Sequence, residues 1–422
     1  MKKNKVLLAY SEARDRYADL GVDTEKVLKK LETIKISLHC WQGDDVSGFE
    51  KPDSHLEGGG LQVTGSYPGR ARNIDELRLD LEKAFFLIPG CHRLNLHAIY
   101  GDFQGKNIER DAIESKHYES WVQWAKDKYL KLDFNATCFS HPKAESGFTL
   151  SHRDKAVRNF WIEHVKRCRS IAAYFGRKLK SPSIHNLWIP DGSKDNPVDR
   201  WTPRMLLKNS LETIYREQFS ADDLKDSVES KLFGIGSEAY VVGSHEFYLG
   251  FALENTLMAC LDMGHFHPTE SVSDKISSIL QFSDELLLHI SRGVRWDSDH
   301  VVILNDDLRQ ITQEIVRGDV MDRVHVALDF FDASMNRVGA WIVGVRAVLK
   351  GFLCALLEPR EHLKSLEDGD DHFSRLALLE ELKAMPFGAV WDFYCYKKDV
   401  PQANEWISVV KDYENRILSH RS

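Results

Sequence analysis

The chain predicts an α/β protein built as a (β/α)8, or TIM, barrel, with an N-terminal helix before the barrel and an extended C-terminal helical region after it. Three observations lead there. Eight short apolar runs begin near residues 34, 93, 131, 184, 226, 257, 286 and 324. Most gaps between them hold a helix-like segment, and strands alternating with helices mean βαβ units, a parallel sheet and right-handed crossovers. Eight such units fit the roughly 250 residues or more of a closed barrel. The alternative is an open doubly wound sheet. That fold wants a Gly-rich phosphate turn after its first strand, and the glycines at 58–60 lack the strand–turn–helix setting.

The elements follow in order. Residues 10 to 32 read as one amphipathic helix, and "IKISLHCW" is the first strand. Residues 42–71 are Gly-rich, polar and long for a βα connection, which predicts a lid over a site. Asn73 is placed to cap the helix "NIDELRLDLEKAFFLI", and the strand "RLNLHAIY" follows. The alternation then repeats: helix "HYESWVQWAKDKYL" and strand "KLDFNA", helix "AVRNFWIEHVKRCRSIAAYFGRKL" and strand "IHNLWIP". The last four strands are "DSVESKL", "LMACLDMG", "LLLHIS" and "VHVALDF". Past residue 336 the pattern is only helical and apolar on one face. We therefore expect a barrel over 1–335 and a helical extension over 336–422 that packs on it and enters subunit contacts.

Composition narrows the function. Hydrophobic residues are 43% and charged residues 28%, the balance of a globular protein able to bury a core. The 64 acidic residues exceed the 56 basic ones, which argues against a nucleic-acid partner. No window reaches the ~20 apolar residues of a membrane span, and the N-terminal apolar stretch is too short for a signal peptide core. Seven cysteines (Cys40, Cys91, Cys138, Cys168, Cys260, Cys354, Cys395) are scattered and form no CxxC, which suits free thiols in a reducing cytoplasm.

In a barrel of this kind the chemistry sits at the C-terminal ends of the strands, where residues two apart share a face. The ends carry, in order, His39 and Trp41; Asn95 and His97; Asp133 and Asn135; His185, Trp188 and Asp191; Glu229 and Lys231; Asp262 and His265; His289, Asp297 and Asp299; and Asp329. Taken singly, each is a turn-former, a satisfied polar group or a core aromatic. Four consecutive strands ending in Glu, Asp, His and Asp are different. Several carboxylates in one concavity are costly unless cations neutralise them. Glu229, Asp262, His289 and Asp329 form one ligand set, and His265, Asp297 and Asp299 a second. Their oxygen-rich mix suits Mn2+, Mg2+, Co2+ or Zn2+ better than soft copper. His267 and His300 read as structural.

The stretches "HCWQGDDVSGFE", "LDMGHFHPTE", "VRWDSDHVV" and "LDFFDAS" closely resemble the motifs of the L-rhamnose isomerase family, and the resemblance runs over essentially the whole chain. It implies a barrel, a homotetramer, and a cytoplasmic aldose–ketose isomerase converting L-rhamnose to L-rhamnulose in rhamnose metabolism. It further implies two divalent metals, usually Mn2+. Glu229, Asp262, His289 and Asp329 then hold a structural metal, while His265, Asp297 and Asp299 hold a catalytic one, with Asp262 bridging. The Asp-x-x-His and Asp-x-Asp spacings are similar to the Glu-x-x-His and Asp-x-Asp of xylose isomerase.

Roles follow for the neighbouring groups. Lys231 shares a face with Glu229 and is placed to stabilise charge on O1. His97 is expected to help open the sugar ring, and Asp329 to serve as ligand and proton acceptor. Trp41 and Trp188 are expected along the apolar faces of the sugar. Ile99, Tyr100 and Phe331 are expected at the methyl of a 6-deoxy substrate. Every strand-end carboxylate of strands five to eight is assigned to a metal, leaving none as an enediol base, so the route expected is a metal-assisted 1,2-hydride shift. Related alternatives are an isomerase of another aldose and a metal-dependent hydrolase or aldolase. The single His of "LHCW" disfavours the hydrolase. A sugar-binding protein without catalysis would not need seven metal ligands.

Overall fold

The computed structural model describes residues 3–50, 63, 65–231, 239–267, 269–294 and 300–421. Eight strands close a barrel: β1 (Ile36–His39), β2 (Arg93–His97), β3 (Lys131–Asn135), β4 (Ser183–Trp188), β5 (Leu224–Glu229), β6 (Met258–Asp262), β7 (Leu286–Ile290) and β8 (Val324–Leu328). Each pairs in parallel with the next in sequence, and β8 closes on β1. These are the eight predicted runs. They are nearly continuous apolar stretches because both faces of a parallel barrel strand are covered.

The interior is divided. On one side Ile184, Met258, Cys260, Leu287 and Ala327 make an apolar plug. On the other, Asp133 accepts from Ser37 Oγ at 2.6 Å, from Arg93 Nε and Nη2 at 2.8 and 2.6 Å, and from the Ile184 amide at 2.8 Å. Asp133, read from the sequence as a strand-end residue, is therefore a fully satisfied tie low in the barrel. The plug and this tie form the floor on which the mouth rests.

One segment departs from expectation. The N-terminal region is two helices, Lys3–Ala18 and Thr24–Leu31. Gly21, at φ +79°, takes the left-handed turn between them, and Asp23 caps the second by accepting from the amides of Glu25 and Lys26. The tail opens after β8 with the 20-residue helix Arg337–Leu356, long and apolar enough to cross a membrane by composition but built into the core. Of its apolar window, 78% is buried inside the protein. It packs against the helices Asp306–Arg317 and Ile74–Phe86, in the place of the barrel's eighth helix. Its arginines are paired within the fold: Arg337 with Asp45 at 2.7 Å, and Arg346 with the Leu87 carbonyl at 3.0 Å.

The helices Arg360–Asp368, His372–Leu382, Phe387–Lys397 and Glu405–Arg416 complete the chain. Tyr10 stacks on Phe393 at 3.7 Å and so fastens the first helix to this group. Near the C-terminus, Arg421 pairs with Asp80 at 2.5 Å.

At the N-terminal end of the barrel, Glu285 accepts from Lys225 Nζ at 2.5 and 2.6 Å and lies 3.2 Å from His325 Nε2. The His325 hydrogen bond, with help from Lys225 and against partial burial, holds Glu285 down at about 2. A carboxyl depressed in the folded state stabilises above its unfolded value, and that contribution is lost as pH falls toward the folded one. The site is partly open to solvent, so the raw shift is discounted to about 1 kcal/mol. Glu285→Gln is expected to lower the unfolding free energy by that amount at neutral pH. Urea denaturation should show the deficit shrinking as pH falls from about 4.5 to about 2.

Candidate metal centre

Glu229 ends β5 and Asp262 ends β6, His289 lies on β7, and Asp329 directly follows β8. The register places Asp262 level with His289, and the pleat turns these side chains into the mouth. His289 Nδ1 lies 3.3 Å from Glu229 Oε2, 3.2 Å from Asp329 Oδ2 and 3.8 Å from Asp262 Oδ2. One donor atom from each of the four residues falls within 4.8 Å of the others. This is the first ligand set expected from the sequence.

The donors are aimed by partners. Asp262 Oδ1 accepts from the Gly264 amide at 2.6 Å and Ser291 Oγ at 3.0 Å, which leaves Oδ2 facing the cluster. Trp41 Nε1 donates to Asp329 Oδ1 at 3.0 Å, which leaves Oδ2 facing His289. Asn186 Nδ2 donates to Glu229 Oε2 at 2.5 Å. Such outer partners fix ligands in orientation.

The electrostatics show what the set lacks. Burial pushes Glu229 up, yet the His289 and His265 imidazoles outweigh it and hold Glu229 well below the usual carboxylate range. Burial, reinforced by Asp329 and Glu229 against the pull of His265, raises Asp262 to about 7. Burial alone would lower His289, but its anionic surroundings hold it well above its ordinary value. Among the described residues, Asp262 Oδ2 and both ring nitrogens of His289 make no well-formed hydrogen bond. Orphaned buried donors of this kind fit a divalent cation held by oxygen and imidazole.

His265, just past β6, brings Nδ1 to 2.8 Å from the Ser230 carbonyl and 3.0 Å from Glu229 Oε1. A carbonyl only accepts, so Nδ1 carries a proton. Asp297 and Asp299, the expected partners of His265, lie outside the described residues, as do 51–62 and 64 of the expected lid.

Beside the cluster is a small cavity of about 40 Å³, into which Trp41, His97, Trp188, Lys231 and Phe331 all project. Lys231 Nζ sits 4.6 Å from the centroid of the Trp188 ring. His97 Nδ1 is 3.0 Å from Thr137 Oγ1, and burial takes its imidazole down to about 3, so the ring is neutral. Three further lining residues were not among the expected ones. Asn135, at the tip of β3, was seen only as a strand-end polar group, and Val46 and Phe139 stand on loops where no periodicity marks them.

Among the described residues, Ile99 and Tyr100, expected at the methyl of the substrate, are not part of the lining of this small cavity. They lie in the 3-10 turn Ala98–Tyr100 and are wholly buried. The Tyr100 hydroxyl donates to Asp44 at 2.6 Å, and the Ile99 carbonyl accepts from the Phe49 amide at 2.7 Å. The turn rotates both side chains out of the strand's alternation, so they support the loop after β1.

Asp262→Asn removes one of three crowded carboxylates. The variant without metal is expected to melt above the wild type without metal, because like-charge repulsion falls. Mn2+ at a hundredfold excess over its Kd should stabilise the wild type by about 2.7 kcal/mol and the variant far less. Thermal melts with and without Mn2+ read both effects. Equal metal-induced shifts in the two proteins would remove Asp262 from the ligand set.

The L-rhamnose isomerase (RhaA) family model matches residues 4–421. An L-rhamnose isomerase of Rhodopirellula baltica is 56% identical over 414 residues, covering 98% of this chain and 96% of that protein. One from Escherichia coli O9:H4 is 54% identical over 413 residues, 98% of each chain. Identity at this level spans both the cluster and the segments outside the described residues, and the chain belongs to the L-rhamnose isomerase family.

Proposed function

We propose that the protein interconverts L-rhamnose and L-rhamnulose in rhamnose catabolism by a 1,2-hydride shift assisted by two divalent metals, with Mn2+ foremost and Co2+, Zn2+ or Mg2+ as substitutes. The observation that carries this is the convergence of Glu229, Asp262, His289 and Asp329 beside a cavity walled by Trp41, Trp188 and Lys231, in a chain of this family. The first four would hold one metal; His265, Asp297 and Asp299, with Asp262 shared, would hold the other. Bound there, divalent cations supply Lewis acidity that polarises the sugar carbonyl and acidifies the neighbouring hydroxyl. The same family likeness makes a cytoplasmic homotetramer the expected form, with neither nucleic acid nor membrane as partner.

The chain's own groups do the rest. The neutral His97 imidazole, oriented by Thr137, exchanges a proton with the ring oxygen or the anomeric hydroxyl and so opens the sugar. Trp41, Trp188 and Phe331 cover the apolar faces and the C6 methyl, excluding water. Hydrogen leaves C2 with its electron pair and joins C1, while one proton passes from O2 to O1. Asp329, steadied by Trp41, accepts that proton from O2 and returns it to O1. The Lys231 ammonium, braced on the Trp188 face, donates to O1 as negative charge builds there. No strand-end carboxylate of β5 to β8 is left over to serve as an enediol base.

Three outcomes check the reading. Chelation should abolish turnover, Mn2+ should restore it, and among a panel of aldoses and ketoses L-rhamnose should be the best substrate. L-Rhamnose deuterated at C2 should give L-rhamnulose with the label at C1 in ordinary water, read by NMR; loss to solvent in a single turnover means an enediol. Lys231→Met should lower kcat by about 10²–10³ with little change in KM, the scale of losing one charge-stabilising donor. A change confined to KM would make Lys231 a binding residue only.

A further inference from the structure

The mouth cluster has a sulfur directly beneath it. Cys260 and Asp262 are two apart on β6 and share its inward face. Across the β5–β6 ladder Cys260 stands level with Glu229, just as Asp262 stands level with His289 across the β6–β7 ladder. Donor atoms of Glu229, Cys260 and His289 lie within 4.8 Å of one another. All three residues are buried, and both ring nitrogens of His289 lack a well-formed hydrogen bond among the described residues. Below and around the sulfur are the apolar Ile184, Met258, Leu287 and Ala327.

We propose that Glu229, Cys260 and His289 form a second, deeper metal seat that selects thiophilic cations such as Cd2+, and that an ion there takes Glu229 and His289 away from the upper seat. The inference rests on the reading of the upper cluster as the resident metal site. Its chemistry is a matter of ligand softness. The upper seat offers three carboxylates and an imidazole, which suit Mn2+ or Mg2+; the lower replaces two carboxylates by one sulfur, which such cations do not favour and soft ones do. A metal bonds the thiolate, so as the metal–sulfur bond forms the S–H bond breaks and its proton goes to the buffer. A hard cation in the upper seat leaves Cys260 a thiol. A soft one is drawn inward, and a centre built for a sugar's oxygens loses two of its holders.

The test uses the full-length protein carrying Cys91→Ser, because Cys91 is the exposed thiol among the seven. Cadmium chloride is added to the Mn2+-loaded protein, and the ultraviolet thiolate-to-cadmium charge-transfer band is followed together with released Mn2+. A band that saturates as Mn2+ leaves is the expected result. Cys260→Ala in the same background should abolish the band and lower the preference for Cd2+ over Mn2+ by more than about tenfold, since even outer partners of a metal act on that scale. A band that survives Cys260→Ala, or Mn2+ displacement with no band, overturns the seat. Should that variant not fold, the near-isosteric Cys260→Ser decides: it must lose the band as well, and a band that survives it overturns the proposal. Turnover of L-rhamnose by the Mn2+-loaded protein is measured alongside. Its absence would count against the isomerase reading, while the band judges the seat independently.

Discussion

Three carboxylates and one imidazole share a dry recess at the end of the barrel, and the remainder of the architecture is arranged around that crowding. A single buried ion costs several kcal/mol even after relaxation. The hydrogen bonds that steady these groups, from Asn186, Gly264, Ser291 and Trp41, contribute roughly 1.5–3 kcal/mol each as bonds to charged acceptors. They aim the oxygens but cannot offset three anions facing one another. The raised Asp262 and the depressed Glu229 are two expressions of that imbalance. A cation held by these donors would offset it, which is a driving force for binding one.

Holding such a cluster open requires a frame that does not collapse onto it. The closed sheet has no edge along which β5 to β8 could slide apart. The first and last strands are sewn together above it: Gln42 Nε2 donates to the Asp332 carbonyl at 3.0 Å, and the Asp332 amide donates back to Gln42 Oε1 at 2.8 Å. Beside the cavity, Asp45 and Val46 both have φ near +60°. For the β-branched Val46 that is a genuine outlier, and such strain persists only where surroundings enforce it. Arg337 grips Asp45 with two bonds of 2.7 Å, and the Val46 amide bonds the Trp41 carbonyl at 3.0 Å. The arginine comes from the buried apolar helix after β8, so packing on the outside of the barrel maintains the loop that walls the site.

These physical roles explain what the sequence revealed. Strands buried on both faces must be apolar runs, so all eight were legible. Their polar ends were legible because they interrupt those runs. The break between the first two helices was not, because Leu20 and Val22 continue the apolar content through the turn made by Gly21. Ile99 and Tyr100 stand past the last residue of β2, in a 3-10 turn where the strand's two-residue alternation no longer sets side-chain direction. Val46 and Phe139 stand on loops, where side-chain direction depends on tertiary contacts. The apolar helix Arg337–Leu356 was legible as helical and as packed on the barrel, because one apolar face needs a partner; its pairing of Arg337 and Arg346 inside the fold is a tertiary feature with no local signal.

The acids of this barrel also separate into two kinds by their partners. Asp133 is met by Arg93 at 2.6 Å, and Asp226, on β5 three residues before Glu229, by Arg169 at 2.9 Å. Each of these carboxylates has a guanidinium that neutralises it, and each ties structure together below or outside the mouth. Glu229, Asp262 and Asp329 have no arginine or lysine among their ion pairs in the described residues; they face one another and histidine. The difference cannot be read from residue type or from burial, since all five are aspartate or glutamate on or next to barrel strands. It follows from charge balance. An acid with its own guanidinium gains little from a divalent ion, whereas a group of acids around an imidazole is completed only by one. Lys231 stands over the Trp188 ring, which holds an ammonium beside the cavity.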